Sequence, residues 1–291
     1  MKSALIIGGA GFTGIALTKE LRKRDYIIYN VIRPNSPHKA RLDNYDVHIL
    51  ECDLADLLSL KISRNIDTLF YLAWTAGKSF QGQFENICFL NNAVELASKI
   101  GCSRIIITGS QAEYGVIPPT TKQTEDMPCN PITAYGAAKL AACHLSRIRA
   151  QELNIEWIWA RIFSLIGKYE PRGRMLPDLF SALKEGHDFH LSSGRQNWDY
   201  LDVHDAAEAL IALAEKGHSN EIYNIANGNY KPLREYTEEL KTLIGGTGQI
   251  YYGEDPNPFI SLQPSVEKIF SHTGWGARRS FADSIKDYKF L

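Results

Sequence analysis

The chain has 291 residues, and its 32 lysines and arginines nearly balance 33 aspartates and glutamates, so the formal net charge is −1. A chain of this length forms two domains or one large α/β unit, and 44 % hydrophobic residues supply its core. The balanced charge argues against a general nucleic-acid binder, which needs a basic surface. It leaves room for an anionic small ligand in a local pocket.

The cysteines and the N-terminus bear on where the protein works. Five cysteines, without a Cys-x-x-Cys pair, argue against a disulfide framework or a zinc site, and the histidines show no metal-ligand spacing. The N-terminal apolar run is too short for a signal peptide, and no stretch of about 20 apolar residues occurs. We therefore expect a cytoplasmic protein without a metal, a membrane or a nucleic acid as partner.

Short apolar runs alternate with helical periodicity over the first 166 residues. Continuous apolar strands that alternate with helices are typical of a parallel sheet covered on both faces. Right-handed crossovers then favour a doubly wound α/β sheet of the Rossmann type. The predicted strands are residues 4–7, 26–32, 46–50, 67–73, 104–108 and 156–163, and the predicted helices are 13–24, 84–99 and 135–153.

The regular alternation weakens after residue 166. Residues 167–195 are rich in Arg, Gly and Pro, whereas a strand at 199–203 and a helix at 205–216 are expected to rejoin the sheet. We therefore predict two units, the second of which is a smaller, mostly C-terminal α/β lobe. The larger unit comprises residues 1–166 and about 196–217, and the lobe comprises about 167–195 and 218–291.

Three glycines, Gly8, Gly11 and Gly14, stand between the first strand and the first helix. In such a loop one glycine permits a tight turn, one lets the backbone approach a pyrophosphate, and one lets the helix pack closely. The helix N-terminus at Phe12 and Thr13 then offers free N–H groups and a partial positive charge to an anion. An ordinary βα turn is the alternative, but the position favours a nicotinamide coenzyme bound by the larger unit.

The end of the second strand bears on which coenzyme binds. An acidic residue there favours NAD through the ribose hydroxyls, but here Arg33 follows the strand. Because an arginine can pair with a 2′-phosphate, NADP(H) is favoured and NAD(H) stays possible. Asp53, after the third strand, is either an acceptor for the adenine amino group or the N-cap of the next helix.

A Tyr-x-x-x-Lys pair, Tyr135 and Lys139, falls on one face of the long helix. A lysine ammonium beside a phenol lowers the tyrosine pKa from about 10 toward working pH, which makes the phenol a useful proton donor and acceptor. Ser110 follows the predicted fifth strand, and there its hydroxyl can point into the crevice that binds ligands in such sheets. Ser110, Tyr135 and Lys139 are therefore the predicted catalytic residues.

These motifs, in this order, resemble those of the extended short-chain dehydrogenases/reductases, a superfamily of sugar-nucleotide epimerases, dehydratases and reductases. The resemblance covers nearly the whole chain and includes the family's Asp-Leu pair at Asp53-Leu54 and its strand motif at Tyr71-Leu72-Ala73. It implies that Leu54, Leu72 and Ala73 contact the coenzyme and that Lys139 also holds the nicotinamide ribose.

Departures from the family pattern bear on the substrate. Gln111 and Ala112 stand where family dehydratases carry Asp-Glu, which argues against a dehydratase. Trp198 replaces an arginine that grips the substrate diphosphate in several relatives, and Ser164 replaces an asparagine. The resemblance leaves as substrate-binding candidates Gln111, Ser164, Arg172, Arg174 and Arg195, with Arg278-Arg279 as further substitutes.

The resemblance implies hydride transfer at a sugar carbon, usually C4, of a nucleotide sugar. The missing acid after the second strand favours an NADPH-dependent nucleoside-diphosphate 4-keto-6-deoxyhexose reductase. An NAD-dependent nucleotide-sugar 4-epimerase is the alternative, and a non-catalytic coenzyme-binding protein is a further one. The resemblance also implies a homodimer that pairs helices 84–99 and 135–153 in a four-helix bundle.

Overall fold

The computed structural model describes residues 1–75 and 79–288. Strands and helices alternate up to residue 166, and short 3₁₀ helices at Lys39–Leu42, Leu54–Ser59 and Gln111–Glu113 follow three of the strands. In chain order the longer elements are β1 (Ser3–Ile7), α1 (Phe12–Arg22), β2 (Ile27–Ile32), β3 (His48–Glu51), β4 (Thr68–Tyr71), α2 (Phe80–Lys99), β5 (Arg104–Ser110), α3 (Ala134–Glu152), β6 (Glu156–Ile162) and β7 (Ser164–Ile166).

The rest of the chain has shorter strands between its helices. None of the helices within the described ranges is long and apolar enough to cross a membrane. The elements are α4 (Met175–Lys184), β8 (Phe189–Leu191), β9 (Asn197–Trp198), β10 (Tyr200–Asp202), α5 (Val203–Lys216), β11 (Glu221–Ile225), β12 (Lys231–Pro232), α6 (Leu233–Ile244), β13 (Ile250–Tyr252), α7 (Glu267–Thr273) and α8 (Phe281–Lys286).

The central sheet has seven strands in the order β3-β2-β1-β4-β5-β6-β11, and every neighbouring pair is parallel. The strand order reverses between β1 and β4, and ligands bind at the carboxyl ends of strands on either side of such a reversal. The predicted doubly wound sheet is confirmed.

Both faces of the sheet are covered, as its apolar strands require. Ala4 and Ile6 of β1 pack in one core with α1 and α5, whereas Leu5 and Ile7 pack in a second core with α2 and α3. All four side chains are fully buried. Burying a leucine or isoleucine contributes about 1.5–3 kcal/mol each, so these two layers hold the sheet and its loops in place.

Two strands differ from the sequence prediction. The predicted strand at 199–203 does not rejoin the central sheet, because β10 pairs instead with β7 in a separate two-stranded sheet. Residues 221–225, predicted to lie in the smaller lobe, form β11 and pair with β6 at the edge of the central sheet. The assignment of the remaining residues to a larger unit and a lobe stays a prediction.

The C-terminal helices build a third core beside the sheet. Leu176 and Leu179 of α4 pack there with Leu240 of α6 and Ile285 of α8. Met175 and Leu176 of α4 also line a cavity, and residues from the end of β5 line the same cavity. Helix α4 therefore forms part of the wall of a crevice at the carboxyl edge of the sheet.

Candidate active site

One cavity, of about 760 Å³, lies at the carboxyl ends of β1, β2 and β4. Ser36 and His38, from the loop after β2, also line it. The structure thus brings together at one place most of the residues predicted to bind the coenzyme: Gly8, Gly11, Arg33, Asp53, Leu54, Leu72 and Ala73.

The glycine loop fits the pyrophosphate of a dinucleotide. Gly8 has a φ of +96°, which favours glycine, and a Cβ on Gly14 would lie 2.2 Å from the Gly8 carbonyl oxygen. Gly11 is the N-cap of α1 and offers no side-chain oxygen, and the first turn of α1 carries no acidic residue. The first N–H groups of α1 are therefore left for an anionic ligand.

The loop after β2 carries positive charge into this cavity. Arg33 is exposed and follows the last residue of β2. Burial, Arg41 and Arg33 together lower the pKa of His38, so these side chains act on one another at short range. Asp53 is the N-cap of a 3₁₀ helix, but its carboxylate makes no capping hydrogen bond, which leaves it able to face a ligand.

A second cavity, of about 640 Å³, contains the three predicted catalytic residues, Ser110, Tyr135 and Lys139. Phe12 and Thr13 line this cavity rather than the first. Leu72 and Trp74 line both cavities. The two cavities therefore meet at the carboxyl end of β4. A coenzyme bound in the first cavity could extend from there to a substrate in the second.

Ser110 is held by a capping box at the end of β5. Its backbone N–H donates to Glu113 Oε1 at 2.7 Å, and its Oγ accepts from the Ala112 N–H at 3.2 Å. Glu113 is itself fixed by Arg161, whose Nε lies 2.8 Å from Glu113 Oε2. Sequence reasoning missed Glu113 and Arg161, although a Ser-x-x-Glu spacing is a recognised signal for such a box.

Tyr135 lies beside Ser110, and its protonation differs from the prediction. Burial raises the pKa of the phenol, and the hydrogen bond from Ser110 only partly opposes that rise. Lys139 Nζ is 6.0 Å from the centre of the Tyr135 ring. Lys139 is not among the groups that lower this pKa, so the lowering expected from the Tyr-x-x-x-Lys spacing is not found in this arrangement.

Lys139 is buried, with 2 % of its surface exposed. Its Nζ donates to the Thr108 carbonyl oxygen at 2.7 Å and lies 3.6 Å from the centre of the Trp74 ring. Burial lowers the pKa of Lys139 to about 7. No motif in the sequence marks Trp74, whose ring meets Lys139 across 65 positions of the chain.

The predicted substrate residues divide between this cavity and other places. Gln111, Ser164 and Arg174 line it. Arg172 is exposed and is not among the lining residues. Arg195 lies in a separate groove, where it pairs with Asp255.

Two further side chains lie in the cavity wall. Trp198, noted above as a departure from the family pattern, lines the cavity. Glu170 is buried, accepts a hydrogen bond from the Tyr288 hydroxyl at 2.6 Å, and lies 3.9 Å from Arg174 Nη1. Burial raises the pKa of Glu170 to about 7, so this carboxyl is a titratable group within reach of the substrate space.

With the glycine loop and the Ser-Tyr-Lys set in place, the comparison with known families becomes specific. The sequence model of the NAD dependent epimerase/dehydratase family matches residues 4–226. The chain belongs to this family. The resemblance to extended short-chain dehydrogenases/reductases is thereby confirmed, and so is the prediction that this member of the NAD dependent epimerase/dehydratase family is an enzyme.

Individual relatives share the full length of the chain at low identity. The chain is 25 % identical to the dTDP-6-deoxy-L-talose 4-dehydrogenase (NAD(P)(+)) of Kitasatospora kifunensis, over 97 % of this chain and 93 % of that protein. It is 24 % identical to a UDP-glucose 4-epimerase of Cyamopsis tetragonoloba, over 98 % and 93 %. The solved UDP-glucose 4-epimerase of Thermotoga maritima shares the fold, with a TM-score of 0.87, 21 % identity and coverage of 98 % and 97 %.

Proposed function

We propose that this enzyme is an NADPH-dependent reductase of a nucleoside-diphosphate 4-keto-6-deoxyhexose. The observation that carries the proposal is that Ser110, Tyr135 and Lys139 line one cavity, which meets the glycine-loop cavity at Trp74. The relative from Kitasatospora is a 4-dehydrogenase of a 6-deoxysugar nucleotide. Oxidation of a C4 hydroxyl and reduction of a C4 ketone are one reaction in two directions, so this relative supports the proposal.

The side chains supply the proton that reduction needs. A bound nicotinamide coenzyme supplies the hydride. Tyr135 donates its phenolic proton to the oxygen of the reduced carbonyl. Its raised pKa keeps the phenol protonated before this step. Ser110 donates a hydrogen bond that steadies the charge developing on the same oxygen. Lys139 binds the ribose hydroxyls of the coenzyme through its ammonium donors.

The preference for NADPH rests on the loop after β2. Arg33, Ser36 and His38 line the coenzyme cavity beside Gly8, and β2 is followed by an arginine rather than an acid. An arginine forms charge-assisted hydrogen bonds with a phosphate, and a serine hydroxyl adds a neutral donor. We assign these residues to the 2′-phosphate of NADPH.

The substrate diphosphate is proposed to meet Arg174. Arg174 lies on the cavity wall at the N-cap of α4, whereas Arg195 is paired with Asp255 in another groove. The Arg174 guanidinium favours negative charge on this wall of the cavity. Ser164 and Gln111 supply neutral polar contacts to the sugar side of the cavity.

The second candidate is an NAD-dependent nucleotide-sugar 4-epimerase. The relative from Cyamopsis favours it, and an epimerase uses the same Ser, Tyr and Lys. The further alternative, a non-catalytic coenzyme-binding protein, is disfavoured because such a protein has no need for all three residues in one cavity.

A homodimer is also proposed, through the outer faces of α2 and α3. These two helices pack side by side, and their outward side chains form a groove that contains Ile87, Cys88 and Asn91. Leu145 and Ile148 of α3 line the same groove and are 55 % and 51 % exposed. A second copy of the same helix pair would bury this apolar face.

The test follows the absorbance of NADPH in mixtures of the purified enzyme with a panel of nucleotide 4-ketosugars. We expect turnover by the wild type and turnover that is lower by about 10²–10⁴-fold in Tyr135→Phe. Absence of turnover with every ketosugar, or undiminished turnover by Tyr135→Phe, would contradict the reductase. NAD(H) released on denaturing the protein as purified, together with interconversion of a C4 epimer pair without net use of coenzyme, would favour the epimerase.

A further inference from the structure

Lys139 is a buried cation that no carboxylate contacts directly in the described residues. Its Nζ donates to the Thr108 carbonyl oxygen, and Glu113, the acid whose charge acts on it, is already paired with Arg161. Burial lowers the pKa of Lys139 to about 7, although the charge of Glu113 partly opposes this fall. At neutral pH, therefore, a further contact decides whether this side chain is an ammonium or an amine.

The indole ring of Trp74 supplies such a contact. Lys139 Nζ lies 3.6 Å from the ring centre, well inside the range of a cation–π interaction. The same ring meets Tyr135 edge-on, with ring centres 6.3 Å apart and an interplanar angle of 86°. Trp74 thus touches both members of the Tyr-Lys pair and stands where the two cavities meet.

The ring is itself held in place by α2. Trp74 Nε1 donates to Gln83 Oε1 at 2.9 Å, and Gln83 Nε2 donates to the Thr75 carbonyl oxygen at 3.4 Å. Gln83 is 3 % exposed. A buried amide that accepts from the indole and donates to the neighbouring backbone leaves the ring little freedom to rotate.

We propose that Trp74 is a positioning residue, which holds the Lys139 ammonium charged and in place beside Tyr135 through the face of its indole ring, and that Gln83 fixes that ring. A cation–π contact is strongest where water is excluded, as it is around Lys139. The ammonium form matters because only it carries three donors and a positive charge. The consequence for catalysis rests on the proposed function, whereas the charge state of Lys139 does not.

The other charged groups near the pair act differently. Glu113 favours the charged form of Lys139, and Arg174 favours the phenolate of Tyr135. Replacing Glu113 or Arg174 by a neutral residue would therefore change these pKa values through the loss of a charge. Replacing Trp74 by leucine adds no charge, and any loss of cover over Lys139 would raise the Lys139 pKa by relieving its burial. A fall in this pKa therefore reports the loss of the π face.

The experiment measures the pKa of Lys139 by NMR titration of the protein labelled with ¹³C at the lysine ε carbon. The Lys139 signal is assigned by its loss in Lys139→Met. We expect Trp74→Leu to lower this pKa by about one unit, the size of a desolvated cation–π contact. Trp198→Leu, which removes another tryptophan from the same cavity wall, is the matched control and should leave it unchanged.

A second measurement covers the case in which Trp74→Leu does not fold. Fluorinated tryptophan weakens the π face with little change in shape, and the chain has five tryptophans. Stepwise fluorination in the wild type should lower the Lys139 pKa stepwise, while fluorination in Trp74→Phe should not. A Lys139 pKa that is the same in wild type, Trp74→Leu and the fluorinated protein would overturn the proposal.

The pH profile of NADPH-dependent reduction links the contact to catalysis. In Trp74→Leu the alkaline limb should move to lower pH by the same interval as the NMR titration, because the neutral amine forms earlier. If the Lys139 pKa falls in Trp74→Leu but the wild type shows no turnover, the role of Trp74 is supported and the reductase is contradicted. If the Lys139 pKa is unchanged in Trp74→Leu and the wild type is active, the reductase is supported and the role of Trp74 is contradicted.

Discussion

The guanidinium of Arg161 and the carboxylate of Glu113 form an ion pair 2.8 Å apart, with 1 % and 0 % of their side chains exposed. The Trp159 indole N–H also donates to Glu113, at 3.1 Å. The pair underlies the turn that carries Ser110, because Glu113 accepts from the Ser110 backbone N–H. A change in this ion pair therefore also affects the position of the Ser110 hydroxyl, which is predicted to be catalytic.

Removing one partner of the pair should be strongly destabilising. Glu113→Ala leaves an uncompensated buried guanidinium, and we expect a loss of about 3–5 kcal/mol in the free energy of unfolding. Urea unfolding followed by circular dichroism measures it. The double variant Glu113→Leu/Arg161→Met is the control and should recover much of this loss; equal losses in both variants would argue against the charge as the cause.

Tyr135→Phe should lower turnover by about 10²–10⁴-fold, because it removes the proposed general acid. The phenyl ring keeps its edge-on contact with Trp74, so the affinity for coenzyme should stay close to that of the wild type. Steady-state kinetics and fluorescence titration with NADPH measure the two quantities. A parallel loss of coenzyme affinity would mean that the hydroxyl binds rather than donates.

Arg33→Ala should reduce the preference for NADPH over NADH by about 10–100-fold, the value of a hydrogen bond to a charged group. The affinity for NADH itself should change little, since NADH has no 2′-phosphate. Calorimetric titration with both coenzymes separates the two effects. Arg64→Ala, at another exposed arginine, is the control, and an unchanged ratio in Arg33→Ala would place the 2′-phosphate elsewhere.

Glu170 should make the folded state less stable as pH rises. Burial raises its pKa to about 7 in the folded protein, above the value of 4.5 for an unburied glutamate, so the folded state holds the proton more tightly than the unfolded state. The contribution of Glu170 to the free energy of unfolding therefore decreases as pH rises from about 4.5 to 7, by up to about 3 kcal/mol. Glu170→Gln should gain stability over the wild type across this interval, measured by urea unfolding at several pH values.

The comparison at low pH is the internal control for Glu170. Below about pH 4.5 the carboxyl is protonated in both states, and the amide of Glu170→Gln still accepts from the Tyr288 hydroxyl. The two proteins should then be equally stable. A difference that is constant with pH would mean that the substitution acts through packing.

Charge on the outer face of α3 should separate the proposed dimer. Light scattering of the wild type should give twice the chain mass of 32.7 kDa, and Leu145→Glu/Ile148→Glu should give a single chain mass. Leu243→Glu, at an exposed leucine outside this groove, should leave the mass unchanged. A wild-type mass near that of one chain would contradict the dimer.

Local patterns predicted the parts of the site that depend on neighbours in sequence. The glycine loop sets Gly8 and Gly14 within one βα turn, and Tyr135 and Lys139 share a helix face, so spacing alone places them. The sequence does not predict the pairing of β10 and β11, although β11 is as long as β1. Their partners, β7 and β6, lie about 35 to 65 residues away, and no local signal distinguishes one sheet edge from another.

The protonation of Tyr135 and Lys139 depends on burial, and the spacing of residues in the sequence does not show which side chains are buried. Tyr135 and Lys139 are near in sequence, yet protein packed around both phenol and amine decides their pKa values. Trp74 reaches Lys139 across 65 positions of the chain. Such a contact depends on tertiary packing, and the spacing of residues along the chain does not indicate it.

Through β11, a late segment of the chain completes the central sheet. The chain leaves the central sheet after β6, builds α4 and the small strands, and returns to form the sheet's outer strand at Glu221–Ile225. A fragment that ends before β11 would keep every glycine, serine and tyrosine of the site. It would also present β6, with its two buried tryptophans, as an open edge for other chains to join.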